Sequence, residues 1–344
     1  MKSKLTIAVL VIALAITTLK AVSASMLING AGATFPFPIY SQWFDEYAKV
    51  NSAARFNYQS IGSGGGVKAL RDKTVDFGAS DAPLSDEEAA QMPAPVLHFP
   101  AVMGAVVLAY NLESIKQPIH LTGPVIADIF LSKIVKWSDP AIVALNPGVA
   151  FPDDPIVTAH RSDGSGTTYI FTDYLSKVSP DWAAKAGKGK SVKWPNGIGG
   201  KGNEGVTGVI QQTPGAIGYV ELIYALSNKI PFATVKNHDG NWIVASLDGV
   251  TAAAAGAVAK MPADFRVSIT DAVGAQSYPL SSFTWLLLYQ QQTDRAKGEA
   301  LVKFMKWALS DGQKYTAGLN YAAIPPSVVE KELAQLGQIA LPAQ

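Results

Sequence analysis

Apolar positions along the chain follow two periods. Short β-prone runs fall at Arg55–Gln59, Val75–Ala79, Ile156–Ala159 and Ala216–Glu221. Two longer runs, Val102–Tyr110 and Ser282–Tyr289, are apolar almost throughout, the pattern of strands buried on both faces. Helical spacing separates them. Ile39, Trp43 and Tyr47 recur every four residues, which predicts a helix opening near Pro36 or Pro38. Gly64–Lys73 reads as a helix opened by glycines, and Ser85-Asp86-Glu87-Glu88 is a capping box that starts another. Ile126–Ile134, Ala141–Leu145, Thr167–Lys177, Thr251–Lys260 and Ala296–Ser310 complete the helical set. In the last of these, Leu301, Phe304, Met305 and Ala308 mark one face. Lys185–Gly208, rich in Gly and Lys, is expected to be a surface loop. This alternation predicts an α/β protein, with sheets packed between helices.

The first 24 residues stand apart. Lys2 and Lys4 precede an apolar run from Leu5 to Leu19, followed by Ala21-Val22-Ser23-Ala24. A basic start, an apolar stretch and small residues at the third and first positions before a cut describe a signal peptide, with cleavage expected before Ser25. The run is shorter than the roughly 20 residues that span a bilayer. Removing 24 residues from 344 leaves an exported chain of 320.

Composition sharpens this picture. At 48% hydrophobic and 16% charged, the chain can bury a large core, and its length suggests two domains. With no cysteine, it can have no disulfides, thiolate zinc sites, iron–sulfur clusters or cysteine-linked lipid. The formal net charge is +1, but Lys2, Lys4 and Lys20 leave with the leader. The 25 basic residues that remain face 27 acidic ones, a net charge of −2. Nothing here suggests a nucleic-acid binder.

Three glycine-bracketed hydroxyl clusters carry the candidate chemistry. In Gly30-Ala31-Gly32-Ala33-Thr34-Phe35-Pro36, Thr34 sits just ahead of the expected helix, where hydroxyl and backbone N–H groups can meet an anion. An ordinary helix cap beside a Gly turn is the alternative. In Ile61-Gly62-Ser63-Gly64-Gly65-Gly66-Val67, Ser63 stands where a helix begins, or in a simple flexible turn. In Arg161-Ser162-Asp163-Gly164-Ser165-Gly166-Thr167, a guanidinium, small hydroxyls and Gly-exposed backbone converge between a strand and a helix. Asp163 is placed to brace Arg161. Asp81, in Val75-Asp76-Phe77-Gly78-Ala79-Ser80-Asp81-Ala82-Pro83, falls at the carboxyl end of an expected strand, where open α/β sheets hold ligands. A carboxylate suits an anion site only if the anion still carries a proton.

Together these four motifs resemble the periplasmic phosphate-binding proteins of high-affinity ABC phosphate transporters. Ala216-Ile217-Gly218-Tyr219-Val220 and Asn320-Tyr321-Ala322-Ala323-Ile324-Pro325 extend the resemblance over nearly the whole mature chain. It implies a two-domain, type II-like periplasmic binding fold with a hinged ligand cleft. One domain would combine residues 25–104 with 278–344, and the other would span 105–277. The implied phosphate ligands are Thr34, Phe35, Ser63, Asp81, Arg161, Ser165, Gly166 and Thr167, with Phe35 and Gly166 acting through backbone N–H groups. Asp163 matches the acid that supports the binding Arg. One departure is Gly64, where relatives often have a second Ser; Ser63 keeps the ligand role. The implied partners are inorganic phosphate and inner-membrane ABC permease subunits, and the implied product is a soluble periplasmic monomer without metal or cofactor.

Two other readings stand beside this one. An exported phosphatase needs a nucleophile with a base, or paired metals. His98, His120, His160 and His238 lack metal-ligand spacing, and no G-x-S-x-G motif occurs. A carrier of another tetrahedral oxyanion, such as sulfate or molybdate, would have to tolerate Asp81.

Overall fold

The computed structural model describes residues 25–343, so the expected leader and its cleavage point lie outside the described residues. The strands are β1 (Met26–Gly32), β2 (Ala54–Ser60), β3 (Phe77–Ser80), β4 (Val96–Tyr110), β5 (His120–Leu121), β6 (Val157–Arg161), β7 (Ile198–Gly200), β8 (Ala216–Glu221), β9 (Thr234–Lys236), β10 (Trp242–Ile243) and β11 (Ser281–Tyr289). Eight of them form one sheet in the order β2-β1-β3-β11-β4-β8-β6-β7, and β10-β9-β5 form a small second sheet.

β4 is the axis of this arrangement. Fifteen extended residues carry it about 50 Å. Val96–Ala105, with Ala101 skipped at a bulge, pair antiparallel with β11, and Val106–Tyr110 pair antiparallel with β8. The strand thus changes neighbours between Ala105 and Val106. On one side, β11 leads to the parallel group β3-β1-β2; on the other, β8 leads to the parallel pair β6-β7. The apolar run beginning at Val102 marks only the later part of this strand, because His98 and Pro100 interrupt its start. Pro100 has no N–H for a ladder, and the β4–β11 register shifts beside it, between Thr284 and Trp285.

Each side has its own aromatic packing. In the first, Phe56, Phe77 and Phe304 gather around Phe44, and Tyr47 packs edge-on against Phe56. In the second, Phe130, Phe171, Trp194 and Tyr219 pack against one another. The expected helix near Pro36 runs Phe37–Val50 and buries Ile39, Trp43 and Tyr47, the spaced residues that predicted it. The capping box at Ser85 forms in both directions.

The loop expected at Lys185–Gly208 is irregular over residues 186–197, but its second half is regular structure. It contains β7, and Gly202–Gln212 is a helix that packs on β6, β7 and β8. The glycines are the physical reason: a Cβ on Gly200 would stand 2.4 Å from the Val206 backbone nitrogen. They bring strand and helix into close contact, although their composition reads as a loop.

Candidate functional site

The four motifs meet where parallel strands end. β1 ends two residues before Thr34, β3 ends at Ser80 just before Asp81, and β6 ends on Arg161. Ser63 opens the helix Ser63–Arg71 that follows β2, and Ser165 caps the helix Gly166–Val178 that follows β6. Carboxyl strand ends and helix N-termini therefore face one point, which concentrates unpaired N–H groups there. All eight candidate ligand residues are buried, none more than 4% exposed among those with side chains.

The two sides touch directly across this point. Ser63 Oγ accepts from the Gly166 N–H at 3.0 Å and from the Asp81 N–H at 3.2 Å. The Gly64 N–H donates to the Gly164 carbonyl at 2.8 Å. Gly62 adopts φ 84°, and a Cβ there would lie 2.1 Å from Asp163 Oδ2. Only glycine permits that backbone so close to the opposing loop.

Arg161 is held rigidly. Its Nε donates to Asp163 Oδ1 at 2.8 Å and its Nη2 to Asp163 Oδ2 at 2.6 Å, a bidentate pair. Its Nη1 reaches Thr167 Oγ1 at 3.3 Å. Burial works to raise the Asp163 carboxyl, but the guanidinium outweighs it and holds the group below its ordinary range. The Gly202 N–H adds a further bond to Asp163 at 3.0 Å. His160, next in the chain, does not join the site. It stacks on Trp194 at 4.9 Å, as expected for a neighbour on the opposite strand face.

Asp81 is the acceptor among these donors. Its Oδ1 takes the Thr284 hydroxyl at 2.8 Å, from the shifted segment of β11. Burial pushes its pKa up to about 7, against the lowering influence of Thr284, Arg161 and Ser63.

Sequence reading missed Asn203, which is wholly buried between both sides. Its backbone N–H and its Nδ2 donate to Thr34 Oγ1 at 3.1 and 2.8 Å. Nδ2 also lies 3.3 Å from Thr167 Oγ1, and Oδ1 accepts the Glu221 N–H at 3.0 Å. The apolar spacing of Val206, Val209 and Ile210 is the one signal that could have revealed its helix.

Hydroxyl polarity follows from this network. Thr34 Oγ1, Ser63 Oγ and Thr167 Oγ1 each accept from two N–H donors, and Ser165 Oγ accepts from the Thr168 N–H at 3.0 Å. A hydroxyl whose lone pairs are so engaged has its proton left to give. Three such groups, the Ser165 hydroxyl, one guanidinium and two helix N-termini make a donor cradle, with Asp81 its acceptor.

Comparison with known proteins identifies the family. The family model described as PBP superfamily domain matches residues 18–312. "Phosphate-binding protein PstS" of Xylella fastidiosa strain 9a5c is 46% identical over 308 residues, covering 89% of this chain and 84% of the relative. The protein of the same name from Pasteurella multocida is 42% identical over 327 residues, covering 95% and 94%. Among solved structures, the phosphate-binding protein from Stenotrophomonas maltophilia superposes with a TM-score of 0.69 at 19% identity, over 90% of this chain and 94% of that one. A phosphate-bound, high-affinity periplasmic phosphate-binding protein gives a TM-score of 0.72 at 20% identity, over 90% and 93%. At those identities the structures speak for the fold, and the curated relatives speak for the family. Four motifs in order, a sheet divided by one shared strand and this level of identity lead to one conclusion: the chain belongs to the PBP superfamily, among the PstS phosphate-binding proteins.

Proposed function

We propose that this chain binds one inorganic phosphate ion between its two halves and delivers it to an inner-membrane ABC permease. The observation that carries this reading is the donor cradle gathered at the buried acceptor Asp81. Phosphate near neutral pH keeps at least one proton, which Asp81 can accept. Sulfate has none to offer, and its charge would face the carboxylate unrelieved, at a cost of several kcal/mol. Arsenate matches phosphate in shape and protonation, so discrimination against it should be poor. The Arg161–Asp163 pair is internally neutral, so selectivity rests on hydrogen-bond polarity and on Asp81.

The phosphate ligands in this reading are Thr34, Phe35, Ser63, Asp81, Arg161, Ser165, Gly166 and Thr167, with Asp163 supporting; the Gly166 N–H, held by Ser63 Oγ at 3.0 Å in this structure, has to be given up to the ion. Residues 25–104 with 278–344 form one domain and 105–277 the other, with the partner change of β4 at Ala105/Val106 as a crossing between them. Phosphate, by bridging both, biases a hinge toward closure. Among the described residues no helix is long and apolar enough to cross a membrane. In this reading the carrier is a monomer released into the periplasm after removal of residues 1–24. The chain is a binding protein rather than an enzyme, in keeping with the names of its relatives. Calorimetry of the mature protein with phosphate, arsenate and sulfate at pH 8 tests the reading. Tight binding of the first two and weak binding of sulfate is expected; equal affinity for sulfate would overturn it.

A further inference from the structure

Three tyrosine hydroxyls hold three consecutive carbonyls of the loop that carries Thr34. Tyr58 on β2 donates to the Ala33 carbonyl at 2.8 Å. Tyr224 donates to the Thr34 carbonyl at 2.6 Å, and Tyr321 to the Phe35 carbonyl at 2.6 Å. Tyr58 and Tyr321 belong to the half of the molecule that contains the loop. Tyr224 does not: it lies on the helix Leu222–Ser227, which follows β8 on the other side of the β4 crossing.

A trans peptide is planar, and its C=O and N–H point in opposite directions. The described chain has no cis bonds. Fixing the Thr34 carbonyl on Tyr224 therefore turns the Phe35 N–H away from Tyr224. That N–H is the backbone donor assigned to phosphate above. A group on the far side thus sets the orientation of a donor on the near side, and it can do so only when the two halves meet.

Tyr224 has a second acceptor within reach. Its hydroxyl is 3.2 Å from Glu204 Oε1, in the first turn of the helix Gly202–Gln212. Glu204 is exposed and lies on the same side as Tyr224. The phenol carries one proton and can donate it to one acceptor at a time. Burial, then the charges of Glu204 and Glu221, push its pKa well above the ordinary tyrosine value, so the proton stays.

We propose that Tyr224 is a positioning residue that acts as an interdomain latch. In the closed molecule its hydroxyl donates to the Thr34 carbonyl and orients the Phe35 N–H toward phosphate. When the halves part, the hydroxyl turns to Glu204, which satisfies it in the open state. Glu204 is the competitor that keeps the latch reversible. The latch rests on the phosphate-carrier reading and adds a regulator of release to it.

The test is stopped-flow phosphate binding and release by the mature protein and by Tyr224→Phe, Glu204→Gln and the double variant. Calorimetry on the wild type comes first. Tyr224→Phe keeps the ring and removes the latch; release should quicken about tenfold, the weight of one buried hydrogen bond, with association changed by less than about twofold. Glu204→Gln weakens the competing acceptor, so release should slow about threefold. In the double variant the effect of Glu204→Gln should vanish, because the two residues act through one proton. Unchanged release in Tyr224→Phe sinks the latch. So does an effect of Glu204→Gln that persists in the double variant, or one that quickens release. If the wild type itself fails to bind phosphate, the carrier reading falls and the latch with it.

Discussion

Asn203 grips Thr34 twice, with its backbone N–H at 3.1 Å and its side-chain amide at 2.8 Å from the same hydroxyl oxygen. Both bonds enter the oxygen's lone pairs, which leaves the Thr34 proton to face the ligand. The same amide touches Thr167 Oγ1, so one side chain sets the polarity of a hydroxyl from each half.

Asn203→Ala removes the amide half of this control, keeps the backbone N–H bond to Thr34, and leaves the Glu221 N–H without the acceptor it has now. Phosphate affinity should fall roughly 10- to 100-fold, in line with about 1–3 kcal/mol for a buried polar group losing its partner. Calorimetry measures the change, and a urea titration checks that the variant remains folded. Unaltered affinity in a folded variant would show that the Asn203 amide is not needed to orient the Thr34 and Thr167 hydroxyls.

Asn203 also shows where sequence reading stops. Thr34, Ser63, Asp81, Arg161 and Ser165 lie at strand ends and helix starts, where glycines and hydroxyls cluster within a few consecutive residues. Such chemistry is local, so the sequence displays it. Asn203 meets its partners across 169 and 36 positions, and no local pattern records those contacts. Its helix begins among glycines selected for close packing on β7, which resemble loop glycines in composition. The change of partner along β4 was hidden for a similar reason. An apolar strand run shows that both faces are buried, and the choice of β11 or β8 as neighbour is settled elsewhere in the chain. Thr284 was equally silent, a single residue in an apolar strand whose meaning comes from Asp81.

Gly166 leaves no room for a side chain in this structure. A Cβ there would stand 2.5 Å from Ser63 Oγ and 2.6 Å from Asp81 Cβ, both across the interface between the halves. As the first residue of its helix it would accept Ala readily if the halves part as proposed above. Gly166→Ala should therefore leave unfolding in phosphate-free buffer within about 0.5 kcal/mol of the wild type. Phosphate affinity should drop by about 100-fold or more, because closure now requires overpacking. Wild-type affinity in this variant would mean that the two loops need not approach so closely.

Asp81 should make selectivity depend on pH. Above about pH 7 its carboxylate is ionised and repels sulfate; below that it carries a proton and can donate to sulfate instead. Sulfate binding should strengthen as pH falls through 7, while phosphate, which supplies its own proton, changes less. Asp81→Asn places a permanent donor at the site. At pH 8 it should narrow the preference for phosphate over sulfate by about 100-fold and abolish the pH dependence of sulfate binding. Competition calorimetry across pH 5–8 reads both effects. A sulfate affinity that ignores both pH and the substitution would remove Asp81 from the selectivity mechanism.

The same carboxyl should cost the ligand-free protein stability at high pH. The unfolded chain releases this proton near 3.8 and the folded chain near 7. Between those values the folded state holds a proton that the unfolded state lacks, so stability rises as pH falls through 7 and the gain levels off below 3.8. Above pH 7 the folded state carries a buried charge, at a cost on the order of 4 kcal/mol relative to strong acid. His98 acts in the opposite sense. Burial lowers its pKa to about 4, and its neutral Nε2 accepts the Leu84 N–H at 3.1 Å. Protonation of the unfolded state near 6.5 therefore removes stability as pH falls toward 4. The two contributions overlap and partly cancel, so the wild-type profile alone is a poor test. The difference between wild type and Asp81→Asn isolates the carboxyl, since His98 contributes equally to both. In phosphate-free buffer the variant should be the more stable protein at pH 8, and its advantage should shrink steadily toward pH 4. Urea midpoints at several pH values measure this, and an advantage that is constant with pH would show that the Asp81 proton plays no part.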